Sequence, residues 1–312
     1  MEPRPPAARS PAFWQSAYPM LTLAVLFWSG NFILGRAVSD LVPPIGLAFW
    51  RWAGALVLVL ILARPFLRAD LPALRRHWKM LLALSIFGVA AFNTFVYIGL
   101  HTTRAINALM LQSAIPVAIV LCSFLLFGER IGWAQAGGIL LSLAGVAMIA
   151  SRGEPAGLLL LSFNRGDAWV LAAVVSYALY STLLRRRPAV HPLSFLAATF
   201  AVGALLLLPA AVWEHVAVQP MGITAASLLA IAYVAVFPGF LSYLFFNRGV
   251  ELVGATRSGQ FIHLMPVFGS LLAILLLGET FHPFHAAGIA LIAGGIALAS
   301  VGRRPTPPAD GS

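Results

Sequence analysis

Long apolar runs separated by short polar breaks fill the chain. They fall near 17–38, 43–63, 78–98, 104–126 and 131–150, and again near 168–184, 193–213, 225–246, 256–277 and 283–301. The runs are continuous rather than alternating, so they predict helices and not the strands of a barrel. Each has about the 20 residues a helix needs to cross a bilayer. The expected fold class is all-α integral membrane with ten transmembrane helices. The first run continues to Arg36 with no small-residue cleavage site behind it, and is read as a retained span. The ends, 1–16 and 302–312, are rich in proline and read as disordered tails.

Composition agrees with that solvent. Of 312 residues, 60% are apolar and 10% charged, against about half and a quarter in soluble domains. Ten spans leave only tails and short loops, which excludes an extramembrane catalytic domain. The single cysteine, Cys122, excludes intramolecular disulfides and cysteine-rich metal sites. The net charge of +10 reads as topology rather than nucleic-acid binding. With ten spans, fifteen basic residues fall on the side of the termini, including Arg64, Arg68, Arg75, Arg76, Lys79 and Arg185 to Arg187. Four, Arg36, Arg104, Arg152 and Arg165, fall on the other. Basic residues are retained in the cytoplasm, so both termini are expected there, in the inner (plasma) membrane.

The chain also repeats. A shift of 150 residues aligns 93–150 with 243–300 without a gap, with 16 of 58 positions identical. The matched landmarks include Gly99/Gly249, Pro116/Pro266, Gly128/Gly278, Glu129/Glu279, Gly138/Gly288 and Gly145/Gly295. Upstream, Trp28/Tyr177 and Arg36/Arg185 keep the order at a shift of 149. The organisation is thus a first repeat over 17–150, an outer connection over 151–167 and a second repeat over 168–301. Five spans per half is an odd number, so the second half enters the membrane upside down. Inverted repeats of this kind recur among secondary transporters.

The two five-span halves, the Trp28-Ser29-Gly30-Asn31-Phe32 motif of span 1, and the Pro-Val and Gly-Glu pairs of spans 4 and 9 resemble the EamA family of the drug/metabolite transporter superfamily. The resemblance covers about 17–301. It implies a ten-helix exporter of amino acids or other small metabolites, working without ATP or cofactor around a central cavity. At span 6 Tyr177-Ala178-Leu179-Tyr180 replaces the tryptophan-centred motif. The rival classes are a lipid-modifying membrane enzyme, for which no catalytic constellation is found, and a scaffold, which does not explain an upside-down repeat. Either rival predicts no solute flux.

No Asp or Glu stands in the middle of a span. Intramembrane carboxylates are the usual proton carriers, so their absence predicts transport down the solute gradient. Arg51 is the outlier, about 12 Å into span 2 at 1.5 Å per residue. A central arginine costs at least about 2.5–3.5 kcal/mol on insertion scales. It either draws a solute carboxylate, bonds backbone carbonyls or snorkels.

Asn93 and Tyr97, four apart in span 3, share one face. Their mates in span 8 are Tyr243 and Asn247, the same types in exchanged order. They line a cavity or glue helices at about 0.6 kcal/mol each. Asn31, Tyr180, Gln260 and His263 are further candidates, with Gln260 and His263 on one face of span 9. His263 is the one histidine inside a span. Pro116 and Pro266 are expected to kink spans 4 and 9 and to serve as hinges, since a mid-helix proline frees the carbonyl four residues back. Glu129 and Glu279 are expected to cap spans 5 and 10. Ala134, Gly138 and Ser142 in span 5, and Ala286, Ala290 and Gly294 in span 10, form small-residue stripes for close packing. His282 and His285 read as an interfacial turn rather than a metal site.

Overall fold

The computed structural model describes residues 12–103, 105–151, 153–154, 164–277 and 282–300. Among them are helices and turns but no strand. After one helical turn at Ala12–Gln15, the first half contains α1 (Ala17–Ala37), α2 (Pro44–Arg76) and α3 (Trp78–Ser85). A π-helical segment, Ile86–Ala91, joins α3 to α4 (Phe92–Thr102); α5 (Ala105–Gln112), α6 (Ile115–Phe127) and α7 (Trp133–Ala150) follow. The second half contains α8 (Arg165–Leu183), α9 (Pro192–Ala217) and α10 (Ala225–Val234). A second π segment, Ala235–Leu241, leads to α11 (Ser242–Val253), then α12 (Ala255–Gln260), α13 (Leu264–Leu277) and α14 (Pro283–Ser300).

Eight helical stretches of described residues are long and apolar enough to cross a bilayer, and Pro283–Ala299 is a shorter apolar helix. The outward surface suits lipid: Ile61, Leu125, Leu140, Leu205 and Leu229 are exposed, and Trp78, Trp133 and Trp213 stand exposed near helix ends. Tryptophan prefers the interfaces of a membrane. The chain is a multi-pass membrane protein.

Several glycines let backbones touch. A methyl on Gly138 would stand 2.5 Å from the Gly295 carbonyl, and one on Gly145 would stand 2.6 Å from the Gly288 carbonyl. The two pairs exchange when each residue is replaced by its mate 150 positions away. The same holds for Gly259 on Ile119 and Gly269 on Leu109, and, at shifts of 149 and 150, for Gly99 on Val170 and Gly249 on Leu21. His263 Nε2 to the Ser113 carbonyl (3.0 Å) and Ser142 Oγ to the Ile292 carbonyl (3.4 Å) each join residues 150 apart.

Five expectations are corrected. The polar break between the second and third apolar runs is helical rather than a loop, because α2 runs through Pro65 and Pro72 to Arg76. The carbonyl freed by Pro65 is that of Ile61, on an exposed residue, where the missing bond disturbs no packing. Pro116 and Pro266 do not kink unbroken helices. Each sits in the first turn of a new helix, after a turn at 113–114 and a 3₁₀ segment at Phe261–His263. There the missing N–H is not needed. The span-10 stripe facing α7 is Gly288, Ile292, Gly295 and Ala299, whereas Ala286, Ala290 and Gly294 are exposed. Glu129 does not cap α7, which begins after Gly132 with no side-chain cap; its carboxylate pairs with Arg185. Glu279 lies outside the described residues, as do 1–11, 302–312 and most of the 151–167 connection; the part of the expected N-terminal tail that is described, Ala12–Gln15, is a helical turn rather than disordered.

Candidate solute-binding site

Arg51 is the eighth residue of α2. Its neighbours on the inward face are Leu47, Ala48, Trp52, Ala55 and Val59, at the three- and four-residue spacing of one helical stripe. The position therefore turns the guanidinium inward, and Arg51 is fully buried. One terminal nitrogen donates to Asn31 Oδ1 at 3.1 Å and to the Tyr97 hydroxyl at 3.1 Å; the other donates to the Pro238 carbonyl at 2.8 Å. Tyr97 in turn donates to Asn31 Oδ1 at 2.7 Å. The guanidinium carbon lies 4.9 Å from the centre of the Trp52 ring. All these partners are uncharged, and Arg51 Nε is left without one.

A second polar pair mirrors the first. Tyr180 donates to Asn247 Oδ1 at 2.8 Å. Tyr180 and Asn247 are the repeat mates of Asn31 and Tyr97, so each half carries one Asn–Tyr bond between its first and third spans or their equivalents. Only the first pair has a cation on it. The position 149 residues beyond Arg51 is Phe200, which packs on Trp52 at 4.8 Å and Tyr243 at 6.0 Å between ring centres. Trp28, Tyr177 and Phe246 continue that aromatic wall.

The two π segments take part. Gly88 and Pro238 are repeat mates and occupy the widened turns. The Gly88 carbonyl accepts from the Tyr243 hydroxyl, and the Pro238 carbonyl accepts from both Arg51 and Trp28 Nε1, the latter at 3.2 Å. A carbonyl has two lone pairs, and π turns concentrate at functional sites. Asn93 stands beside the Tyr243 hydroxyl.

The structure thus joins Asn31, Arg51 and Tyr97 in one cluster, and Tyr180, Tyr243 and Asn247 in an adjoining aromatic one. Gln260 and His263 are also buried, but His263 is engaged with Ser113 across the α5–α6 break. None of the nine candidates is more than 5% exposed. The central region is closed, and helices must part for a solute to reach it. Trp52 Nε1 and Asn247 Nδ2 are further buried donors without a protein partner. Unpaired donors in a low-dielectric interior are unfavourable by about 1–3 kcal/mol each, which a solute bearing acceptors would relieve. Phe200, Tyr177, Gly88 and Pro238 were not among the sequence candidates. The signals for them were a proline in the middle of the eighth run and the positional match of Phe200 to Arg51.

Comparison with known proteins agrees with this architecture. The EamA-like transporter family matches residues 15–151 and again 164–301. The chain is 26% identical over 286 residues to the uncharacterized transporter YyaM of Bacillus subtilis, covering 91% of this chain and 93% of that protein. It is 28% identical over 292 residues to a probable terminal-alkyne amino-acid exporter of Streptantibioticus cattleyicolor, covering 91% and 94%. A solved crystal structure shares the fold at a TM-score of 0.73 and 23% identity, covering 91% of this chain and 96% of that one.

Proposed function

The chain belongs to the EamA-like transporter family, and from that premise we propose that this membrane transporter exports amino acids or closely related metabolites by alternating access. The observation that carries the substrate class is the Arg51 guanidinium: fully buried, held only by uncharged groups, and flanked by aromatic rings. A buried cation without a counter-ion is unfavourable, and a solute carboxylate supplies one. The aromatic wall accepts an apolar side chain, and the Asn–Tyr pairs offer bonds to the ammonium end. The amino-acid exporter among the relatives is consistent with that chemistry.

The architecture we infer is ten spans in two inverted five-helix repeats. It is supported by the two separate family matches and by helix contacts that exchange under the repeat shift. Paired breaks before Pro116 and Pro266, and paired π segments, supply equivalent hinges in the two halves. The excess of basic residues on one side supports cytoplasmic termini in the inner membrane. In a variant lacking Cys122, a cysteine at Ala156 should react with an impermeant maleimide on intact cells; reaction only after lysis would reverse the orientation and the direction of export.

Counterflow in proteoliposomes tests the substrate. A charge-assisted hydrogen bond contributes about 1.5–3 kcal/mol, or about 10- to 150-fold in affinity. Arg51→Gln should weaken amino-acid transport by that order and spare the corresponding decarboxylated amine. A well-folded Arg51→Gln protein that keeps the wild-type ratio of amino acid to amine would make Arg51 structural.

A further inference from the structure

A cleft of about 370 Å³ opens on the face that the charge bias places outside the cell. That volume lies in the range of small-molecule pockets. Its lining includes Pro44, at the start of α2, and Ile98, in α4. Arg51 lies seven residues further along α2, about 10 Å at 1.5 Å per residue, and Tyr97 immediately precedes Ile98. The cleft therefore stands over the Arg51 cluster on the same two helices. Buried Leu47 lies between the two levels on α2.

Three more side chains give the cleft its chemistry. Arg165 opens α8, where a cation opposes the helix dipole, so helix stability does not account for it. Glu214 is 5% exposed, and its oxygens accept from the N–H groups of Ile45 at 3.2 Å and Gly46 at 2.7 Å. Those two bonds fix the carboxylate at the α2 N-terminus and leave half of its roughly four lone-pair sites. Trp169 presents a partly exposed ring, steadied by Phe95 at 5.3 Å between centres. A fixed anion, a cation and an aromatic face border one space of substrate size.

We infer that this cleft is a second, shallower binding site for a zwitterionic solute with an apolar side chain, where an exported amino acid is held after leaving the Arg51 level. The carboxylate is taken by Arg165, the ammonium by Glu214, and the side chain by Trp169 and Ile98. The inference rests on the amino-acid reading of the deep site, and its test separates the two.

The experiment is equilibrium binding of radiolabelled L-phenylalanine to the full-length protein in lipid nanodiscs. Phenethylamine and 3-phenylpropionate serve as competitors. Wild type should bind two molecules per chain. Arg165→Gln should weaken only the weaker site, about threefold to tenfold, less than for a buried guanidinium because water competes for this one. Trp169→Ala should weaken the same site, and Arg51→Gln only the tighter one. Neither competitor, each lacking one charge, should displace L-phenylalanine from the weaker site as well as L-phenylalanine itself. If Arg165→Gln and Trp169→Ala bind like wild type, or if one molecule binds and Arg51→Gln abolishes it, the cleft is a bare mouth and the deep site stands. Binding lost in Arg165→Gln but not in Arg51→Gln supports the cleft and removes the deep site. If 3-phenylpropionate competes fully, the cleft reads a carboxylate alone and the zwitterion assignment goes. No binding to wild type removes both sites.

Discussion

Tyr180 and Gly88 show how differently two neighbouring residues weigh. The Tyr180–Asn247 bond joins two helices in the protein interior, and such bonds average about 0.6 kcal/mol in membrane proteins. Tyr180→Phe should therefore lower stability by less than about 1.5 kcal/mol, visible as a small drop in the melting temperature of purified protein. Gly88 is another matter. A methyl there would stand 2.2 Å from Tyr180 Cδ2, far inside the roughly 3.5–4 Å at which two carbons make contact. That ring is buried and packed on Tyr177 and Tyr243, so it cannot step aside. Gly88→Ala should destabilise by about 1–3 kcal/mol, as overpacked cores do, and a melt unchanged from wild type would show that the ring has room. Of these residues the sequence made Arg51 and the Asn–Tyr stripe legible, because a charge or an amide in an apolar run demands a partner. It could not say that Asn31 and Tyr97 bond each other, since that pairing depends on how spans 66 residues apart cross. Gly88 was opaque for the same reason: a glycine among apolar residues has many uses, and only the packed structure shows a ring against it.

At the scale of elements, the breaks and the glycine crossings have opposite mechanical characters. The α7–α14 crossing is backbone against backbone on both pairs of glycines. A side chain at either contact pushes the helices apart along their length. Gly138→Val should lower the melting temperature and impair folding in the membrane, and Gly288→Val should do so about equally, because the two sites correspond under the shift of 150. Unequal effects would argue against that equivalence. The breaks before Pro116 and Pro266 interrupt helices that could otherwise run on. Each proline is already in a first turn, so replacing it by alanine removes no strain and lets the helix extend backward. Pro116→Ala and Pro266→Ala should leave the melting temperature unchanged or raise it, yet slow counterflow; wild-type rates in both would remove the hinge role. The matched prolines were legible from the repeat. Whether a proline kinks a helix or starts one depends on the residues before it, and the glutamine, serine and alanine at 112–114 gave no Gly or Asn to mark an ending. The extension of α2 past Pro65 and Pro72 was hidden likewise, because arginine and proline together read as a break.

For the whole molecule, the two faces are closed by different means. On the face that the charge count assigns to the cytoplasm, Glu251 pairs with Arg187 at 2.9 Å and Arg248 at 3.0 Å, and Glu129 pairs with Arg185. Arg185 and Arg186 also lie over the Phe127 ring, at 4.3 and 4.8 Å. These contacts tie the end of the fourth run to the α8–α9 turn, and that turn to α11. The opposite face carries the 370 Å³ cleft. Asymmetry of this kind is what the proposed alternating access requires, with one face sealed while the other admits or releases solute. The seal is weak, because Glu251 is 41% exposed and exposed ion pairs contribute only about 0–1 kcal/mol each. A weak seal suits a gate. Of the two Glu251 pairs only that with Arg187 crosses between elements, Arg248 lying on α11 with Glu251, so removing it withdraws at most about 1 kcal/mol, enough to shift a closed-to-open equilibrium by up to about fivefold at 1.4 kcal/mol per factor of ten. Leu244 lines the crevice beside Arg187 and Glu251, so a cysteine there, in a Cys122→Ser background, reports the opening. In inside-out vesicles Glu251→Gln should speed its reaction with an impermeant maleimide several-fold, and about 1 M salt, where screening acts within about 3 Å, should speed the parent variant in the same direction. Equal rates under all three conditions would mean that apolar packing closes this face and that the ion pairs are bystanders.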